Sequence, residues 1–414
     1  MGGGLMQIVA LGKQDVYLTG NPQFTYFKTI YRRHTNFATE SIMVHWDSNT
    51  INPALGSSLS ATIPRQAELV NGIWLQVKLP KSANATPTPY WIDGVGNALV
   101  KRADIEIGGH LVDRHYGEWM NIWGELTTPQ GKLAGYDKMV GNNTYLEAEA
   151  DQYLDIPLIF WFCRNPGLAL PLVALQNTEV KLKIQLETEA NLVQSGTITS
   201  PSEMEMKLWV DYVFLDTDER RRFAQVSHEY LIEQLQVNNF TIGTTDTPEN
   251  NNKRCELWFD YPIKELNWVI RKTTAKLFDF NNTFTTAKFE LDSRPIVPSR
   301  RPEYFLQIEN YTHHQRVPRY DGITGSKEIT TPAPTVPPTY YRYQKIYTYS
   351  FALNPENHQP SGSSNFTRID TAVLTINGAR DITNPPVSKT IAVYATNYNI
   401  LRFMSGSANL SFSV

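Results

Sequence analysis

The sequence predicts an all-β protein built as β-sandwiches in series, and three observations carry that reading. Apolar and polar residues alternate with period two through much of the chain, whereas helical periodicity is scarce. Aromatics reach 12%, as 21 Tyr, 18 Phe and 9 Trp, a balance that favours strands. The stretches between alternating runs are rich in Gly, Pro, Asn and Ser, which the turns between short antiparallel strands require.

Taken in order, Ile73, Leu75, Val77 and Leu79 alternate with Trp74, Gln76, Lys78 and Pro80, the pattern of a strand with one buried face. Residues 104–107 and 110–112 flank Gly108-Gly109, and two glycines supply the positive φ of a primed hairpin turn. Residues 154–176 are apolar enough to suggest a membrane span. However, Asp155, Arg164 and Asn165 lie within them and Pro157, Pro166 and Pro171 interrupt them. Charges at bilayer depth cost about 2.5–3.5 kcal/mol each, so the stretch is read as two buried strands joined by a turn at Asn165-Pro166-Gly167.

Val180, Leu182, Ile184 and Leu186 form the next one-faced strand, and Leu208, Val210 and Tyr212 mark another over 204–214. A short helix is expected from Asp216 to Gln225, because Asp216 stands three residues before Glu219 in a capping-box-like start. Later strands are expected at 341–353, 372–376, 391–394 and 400–404. Residues 81–89 and the proline-rich 321–339 are expected to be long surface loops.

A chain of 414 residues and 47.1 kDa suits two domains of about 200 residues each. The expected division is an N-terminal arm (1–26), a first sandwich (27–216), a connector (217–228) and a second sandwich (229–414). No repeat between the halves is visible. The net charge of -3 argues against nucleic-acid binding by bulk charge, and two cysteines, Cys163 and Cys255, exclude a disulfide scaffold. The opening residues lack the basic and apolar regions of a secretory signal, and Met6 stands where a myristoylation pattern wants Ser or Thr.

Several blocks resemble the major capsid proteins of nucleocytoplasmic large DNA viruses, especially compact members from algal viruses. They begin with Gly12-Lys13-Gln14-Asp15-Val16-Tyr17-Leu18-Thr19-Gly20-Asn21-Pro22 and Tyr31-Arg32-Arg33-His34-Thr35-Asn36-Phe37. Pro157-Leu158-Ile159-Phe160-Trp161-Phe162 and Trp209-Val210-Asp211-Tyr212-Val213-Phe214 follow. Gln359-Pro360-Ser361-Gly362 and Asn397-Tyr398-Asn399 with Leu401-Arg402 close the series. The blocks keep family order from residue 12 to residue 402, while 241–341 matches less well, as surface loops would.

The resemblance implies a double jelly roll of two eight-stranded sandwiches with short connecting helices. It implies a homotrimeric, pseudo-hexagonal capsomer that contacts neighbouring capsomers and minor capsid proteins in an icosahedral virion. An internal membrane would lie nearby without being spanned, and assembly would take place in the host cytoplasm. A minor capsid paralogue of the same fold is the near alternative. A carbohydrate-binding sandwich is another, motivated by Trp74, Trp91 and Trp209, whose aromatic faces could stack on sugars.

No catalytic set, cofactor site or metal site is expected. Gly94-Val95-Gly96 lacks the rest of a dinucleotide loop, and His313-His314 has no further ligand at metal spacing, so both are read as loops. Carboxylates are plentiful but unplaced, which leaves a glycosidase reading without support. The basic cluster Lys28, Arg32, Arg33 and His34 is read as a partner-contacting arm. Arg220, Arg221 and Arg222 are read as an interdomain lock paired with Asp218 and Glu219. Of seven Asn-Xaa-Ser/Thr acceptors, Asn84 and Asn281 are the candidates for glycosylation, because both sit in polar, loop-like sequence.

Overall fold

A computed structural model describes residues 2–48, 52–80, 90–142, 152–195, 204–243, 252–318, 344–379 and 387–412. It separates into two units, Met1–Asn36 and Phe37–Val414. In the first unit, helices α1 (Gly3–Val9) and α2 (Val16–Thr19) bury no side chain. Asp15 organises the turn between them by accepting from the Gly12 amide at 2.7 Å. Residues 27–36, expected to begin the first sandwich, contain no strand.

The second unit begins with eight principal strands: β1 (Phe37–Val44), β2 (Ser58–Thr62), β3 (Leu69–Lys78), β4 (Val100–Ile107), β5 (His110–Tyr116), β6 (Tyr153–Pro157), β7 (Val180–Leu186) and β8 (Glu205–Leu215). They form two four-stranded sheets, ordered β1-β8-β3-β6 and β2-β7-β4-β5. Eight more follow: β9 (His228–Ile242), β10 (Asn252–Glu256), β11 (Pro262–Lys272), β12 (Thr286–Leu291), β13 (Arg294–Arg300), β14 (Tyr347–Ser350), β15 (Ala372–Asn377) and β16 (Lys389–Met404). Their sheets are ordered β9-β16-β11-β14 and β10-β15-β12-β13, so the second sandwich repeats the order of the first with every strand number raised by eight. Both are antiparallel jelly rolls.

Alternation explains how the sandwiches close. Ile73, Leu75 and Val77 of β3 and Leu208, Val210 and Tyr212 of β8 face Ile105, Leu182 and Ile184 of the opposite sheet, all nearly inaccessible to water. The β4–β5 hairpin turns at Gly108 and Gly109, whose φ values of 61° and 82° are those a primed turn requires. Trp268 of β11 anchors the second core, with its ring 5.0 Å from Phe305 and 5.8 Å from Tyr347.

Several expectations need correction. The stretch 154–176 is not two long strands: after β6 come a helical turn α6 (Trp161–Arg164), a 3-10 turn at Pro166–Leu168 and a two-residue strand at Leu170–Pro171. The prolines that exclude a membrane helix also prevent a continuous strand. Residues 391–404 form one strand, not two, because β16 is buried on both faces and so lacks alternation. Residues 252–318 supply four strands of the second sandwich, not only loops. The expected loops 81–89 and 321–339 lie outside the described residues, as do the first residues of the strand expected at 341–353.

Further helices are α3 (Val95–Leu99), α4 (Gly117–Thr127), α5 (Gln130–Val140), α7 (Glu189–Leu192), α8 (Thr217–Gln225) and α9 (Glu309–His313). Of these only α8 was legible, and Asp216 caps it by accepting from the Thr217 amide at 2.7 Å. The turn expected at Gly94–Gly96 opens α3, with Gly94 at φ 72°. Gly117 lets α4 start against that helix, since a Cβ there would stand 2.1 Å from the Asn97 carbonyl oxygen. This start turns α4 into the space between the two sandwiches.

Candidate functional site

One continuous apolar cluster joins the sandwiches. It unites the first core with Ile232, Val269, Ala392, Tyr394, Leu401 and Phe403 from the outer face of sheet β9-β16-β11-β14. Strand β16 serves both sides: Ile391, Val393 and Ala395 enter the second sandwich's own core, while Ala392 and Tyr394 point into the seam. Helix α4 supplies the opposing surface. Trp119 lies 5.5 Å from the Tyr394 ring, and the Tyr394 hydroxyl donates to Glu118 at 2.9 Å. Burial, and then the Glu118 carboxylate, push that phenol well above its ordinary pKa.

Polar residues on this buried sheet face must find partners within the sheet or across the seam. Lys264, fully inaccessible, sits at a bulge in β11 and contacts Glu233 of β9 at 2.7 Å and the Pro355 carbonyl at 2.6 Å. The other Glu233 oxygen accepts from Arg164 of α6 at 2.8 Å, and that guanidinium stacks 4.0 Å from the Trp123 ring centroid. Arg316 pairs with Glu125 of α4, and Gln234 donates to the Val112 carbonyl. Lys276 donates to the carbonyls of Ala190 and Val193 at 2.8 and 2.7 Å.

The expected loop pair His313-His314 closes helix α9. The buried His314 ring lies between Glu265 at 3.3 Å and Glu356 at 3.0 Å. Burial alone would lower its pKa, but the two carboxylates dominate and raise it to about 9. Glu265 is likewise held below its ordinary range despite burial, by His314 first and then Lys264 and Arg164. Among the described residues no group of three or more His, Cys, Asp or Glu side chains could hold a metal ion.

Because folding raises the His314 pKa, its stabilisation is complete below the unfolded value of 6.5 and is lost as pH rises towards 9. The expected loss is on the order of 1–3 kcal/mol. Unfolding midpoints of the parent chain should fall between pH 6.5 and 9.5. The gap to His314→Gln should narrow over the same range, and parallel curves would disprove the assignment.

A cleft of about 660 Å³ opens at the seam, lined by Trp74, Trp123 and Trp161 from the first sandwich and by Glu233, Glu356 and His358 from the second. Its aromatic character does not make it a sugar platform. Arg164 occupies a face of Trp123, and Trp161 is buried. Trp91, expected to be exposed, is only 1% exposed, and Trp74 and Trp209 are half-buried, with indole N–H groups tied to Asp211 and Gln76.

The remaining residues singled out in the sequence lie elsewhere. Lys28, Arg32, Arg33 and His34 are exposed in the Met1–Asn36 unit. Arg220, Arg221 and Arg222 are exposed on α8, where Arg220 contacts Glu68 of the first sandwich at 3.3 Å. Asn281 is exposed, Asn84 lies outside the described residues, and the acceptors Asn142 and Asn310 are buried. Sequence reasoning missed Glu233, Lys264 and Glu265, because charged residues on alternating strands ordinarily face water, and it read His314 as a loop residue because nothing in the sequence shows that Glu265 and Glu356 meet it.

Comparison with known proteins agrees with this architecture. Residues 25–216 match the family model described as major capsid protein N-terminus. Residues 219–325 and 333–409 match the one described as large eukaryotic DNA virus major capsid protein. The chain is 42% identical to the major capsid protein of Pyramimonas orientalis virus and 36% identical to that of Paramecium bursaria Chlorella virus 1, in each case over 100% of both chains. The crystal structure of PBCV-1 VP54 superposes with a TM-score of 0.78 at 30% identity, covering 94% of this chain and 100% of that chain. The Faustovirus major capsid protein shares the fold, with a TM-score of 0.70 at 11% identity, covering 95% of this chain and 94% of that one. Two jelly rolls of one strand order, fused through a buried seam and matched along their length by these relatives, establish that the chain belongs to the major capsid proteins of large eukaryotic DNA viruses.

Proposed function

We propose that the chain is the principal subunit of an icosahedral shell and assembles as homotrimeric, pseudo-hexagonal capsomers. The repeated strand order carries this reading: one chain supplies two wedges of like construction, and three chains around a threefold axis supply six. Six similar wedges tile a hexagonal lattice. A similar chain, that of PBCV-1, belongs to a quasi-atomic model of that virus's capsid. A net charge of only -3 keeps repulsion between identical copies small.

In this reading the chain is structural rather than catalytic and needs no cofactor. The arm of 1–26 extends through 27–36, the first jelly roll occupies 37–216, the connector 217–228 and the second jelly roll 229–414. The 1–26 arm and the cluster Lys28, Arg32, Arg33 and His34 meet neighbouring subunits or minor capsid proteins, on the side facing an internal membrane. Arg220 fastens the connector to Glu68, and Arg221 and Arg222 extend that lock. Asn281 is the exposed candidate for a glycan, and assembly takes place in the host cytoplasm.

Light scattering behind size exclusion tests the central claim. The expected mass is three times 47.1 kDa, about 141 kDa, and it should hold on dilution. A stable species of 47.1 kDa would overturn the trimer.

A further inference from the structure

Every sheet has two edges, and an unprotected edge is a template for another strand. Among the described residues, the principal edges of this fold are covered or blunted, with one exception. Strand β6 packs against α3 and α5. Asp47 caps β2, accepting from the Thr62 amide at 2.9 Å and donating its own amide to the Ser60 carbonyl at 2.8 Å. Strands β5 and β9 face each other across the seam. Helix α9 covers β14 through Glu309 and Asn310. Strand β10 is short and charged, and β13 carries two prolines and an irregular register.

Strand β1 has none of these devices. It ends its sheet, pairs with β8 over eight consecutive positions without a bulge, and contains one charge and no proline, glycine or lysine. Residues 37–41 and 43 are exposed, so both faces are accessible along most of its length.

We propose that β1 is a docking edge for a strand supplied by a second copy of this chain, through that copy's residues 29–36. The stretch Thr29-Ile30-Tyr31-Arg32-Arg33-His34-Thr35-Asn36 equals β1 in length, is rich in β-branched and aromatic residues, lacks Gly and Pro, and forms no strand. Ile30 and Tyr31 are 77% and 83% exposed. Its charge is complementary. Arg32 and Arg33 are opposite in sign to Glu40, the one charged residue of β1. The donor is another copy, because residues 29–36 run directly into β1 at Phe37 and leave no residue for the turn an intrachain hairpin needs. Backbone pairing would supply affinity and alternate side chains specificity. Donation from each copy to the next closes a ring without symmetric pairing. The number of copies in that ring rests on the trimer reading above.

Two measurements test this on the full chain. Single cysteines at 29–32 in one population are mixed with Ser41→Cys in another, so that only an inter-copy contact gives a disulfide. The native thiols of Cys163 and Cys255, pushed up to about 12 by burial, stay protonated in such an assay. A two-chain product at one or two scanned positions is expected. Thr39→Pro and Glu40→Pro sample both phases of the strand, so one removes an outward amide and the other a ladder amide. The variant that keeps the parent's melting temperature should need at least about tenfold more protein to stay assembled. If neither keeps it, cross-linking alone decides. A trimer untouched by the fold-preserving proline, with no cross-link at any position, overturns the docking edge and leaves the trimer standing. A monomeric parent chain overturns the trimer, and cross-linking at high concentration then decides the edge separately.

Discussion

Glu233→Ala is expected to destabilise the protein by about 3–5 kcal/mol, the cost of stranding buried charge. The Glu233 carboxylate faces Lys264 with one oxygen and Arg164 with the other, and Lys264 is wholly inaccessible. Without that carboxylate, Lys264 keeps, among the described residues, the Pro355 carbonyl, the field of the buried Glu265, and two aromatic faces at about 6 Å, those of Trp123 and Tyr398. Removing both charges together should behave differently. Glu233→Leu with Lys264→Met should recover part of the loss, since well-packed apolar replacements of buried ion pairs are often neutral, while the partly exposed Arg164 keeps the Ile159 carbonyl and the Trp123 ring. Urea unfolding of the parent, the single and the double variant checks both statements. A single-variant loss below about 1 kcal/mol would mean that solvent reaches Lys264 when Glu233 is gone.

The second large effect is expected at Trp268, only 1% exposed in the middle of β11. Trp268→Ala should cost about 3–5 kcal/mol, because it removes the ring against which Tyr347 stacks and Phe305 packs edge-on and leaves a cavity in the second core. The same denaturation measurement checks it. A cost under about 2 kcal/mol would show that the second core collapses around the gap. Trp268→Phe should recover a large part of the loss if packing volume is what matters.

These two sites show where the sequence could be read and where it could not. Strand β7, with Val180, Leu182, Ile184 and Leu186 buried and Lys183 exposed, matches its alternation throughout. The Gly108-Gly109 hairpin was legible for a similar reason: both depend on short-range stereochemistry. Helices α4 and α5 were missed because Gly117, Gly124, Gly131 and Gly135 weaken the local helical signal, and α4 is held by its contacts with the seam. Strand β16 was split in two because a strand buried on both faces has no alternation to read. The duplication of the jelly roll was invisible for a related reason. Sheet β9-β16-β11-β14 buries its outer face against the first sandwich, so its residue pattern differs from that of its counterpart. Lys264, Glu265 and Asn267 lie on that sheet, where ordinary patterning assigns polar side chains to water.

Strand β16 lies late in the chain and yet supplies a central strand to one sheet and half of the seam. The first sandwich has all of its strands once Leu215 has been made, but the surface bearing Trp119 stays bare until Met404 follows. At 5–20 residues per second, the roughly 190 residues between them take about 10–40 s to synthesise. Each new polypeptide therefore passes through a period in which a finished half presents a large greasy face to a crowded cell. Its yield should depend on how quickly the later half is delivered, and on chaperones that shield that face in the meantime.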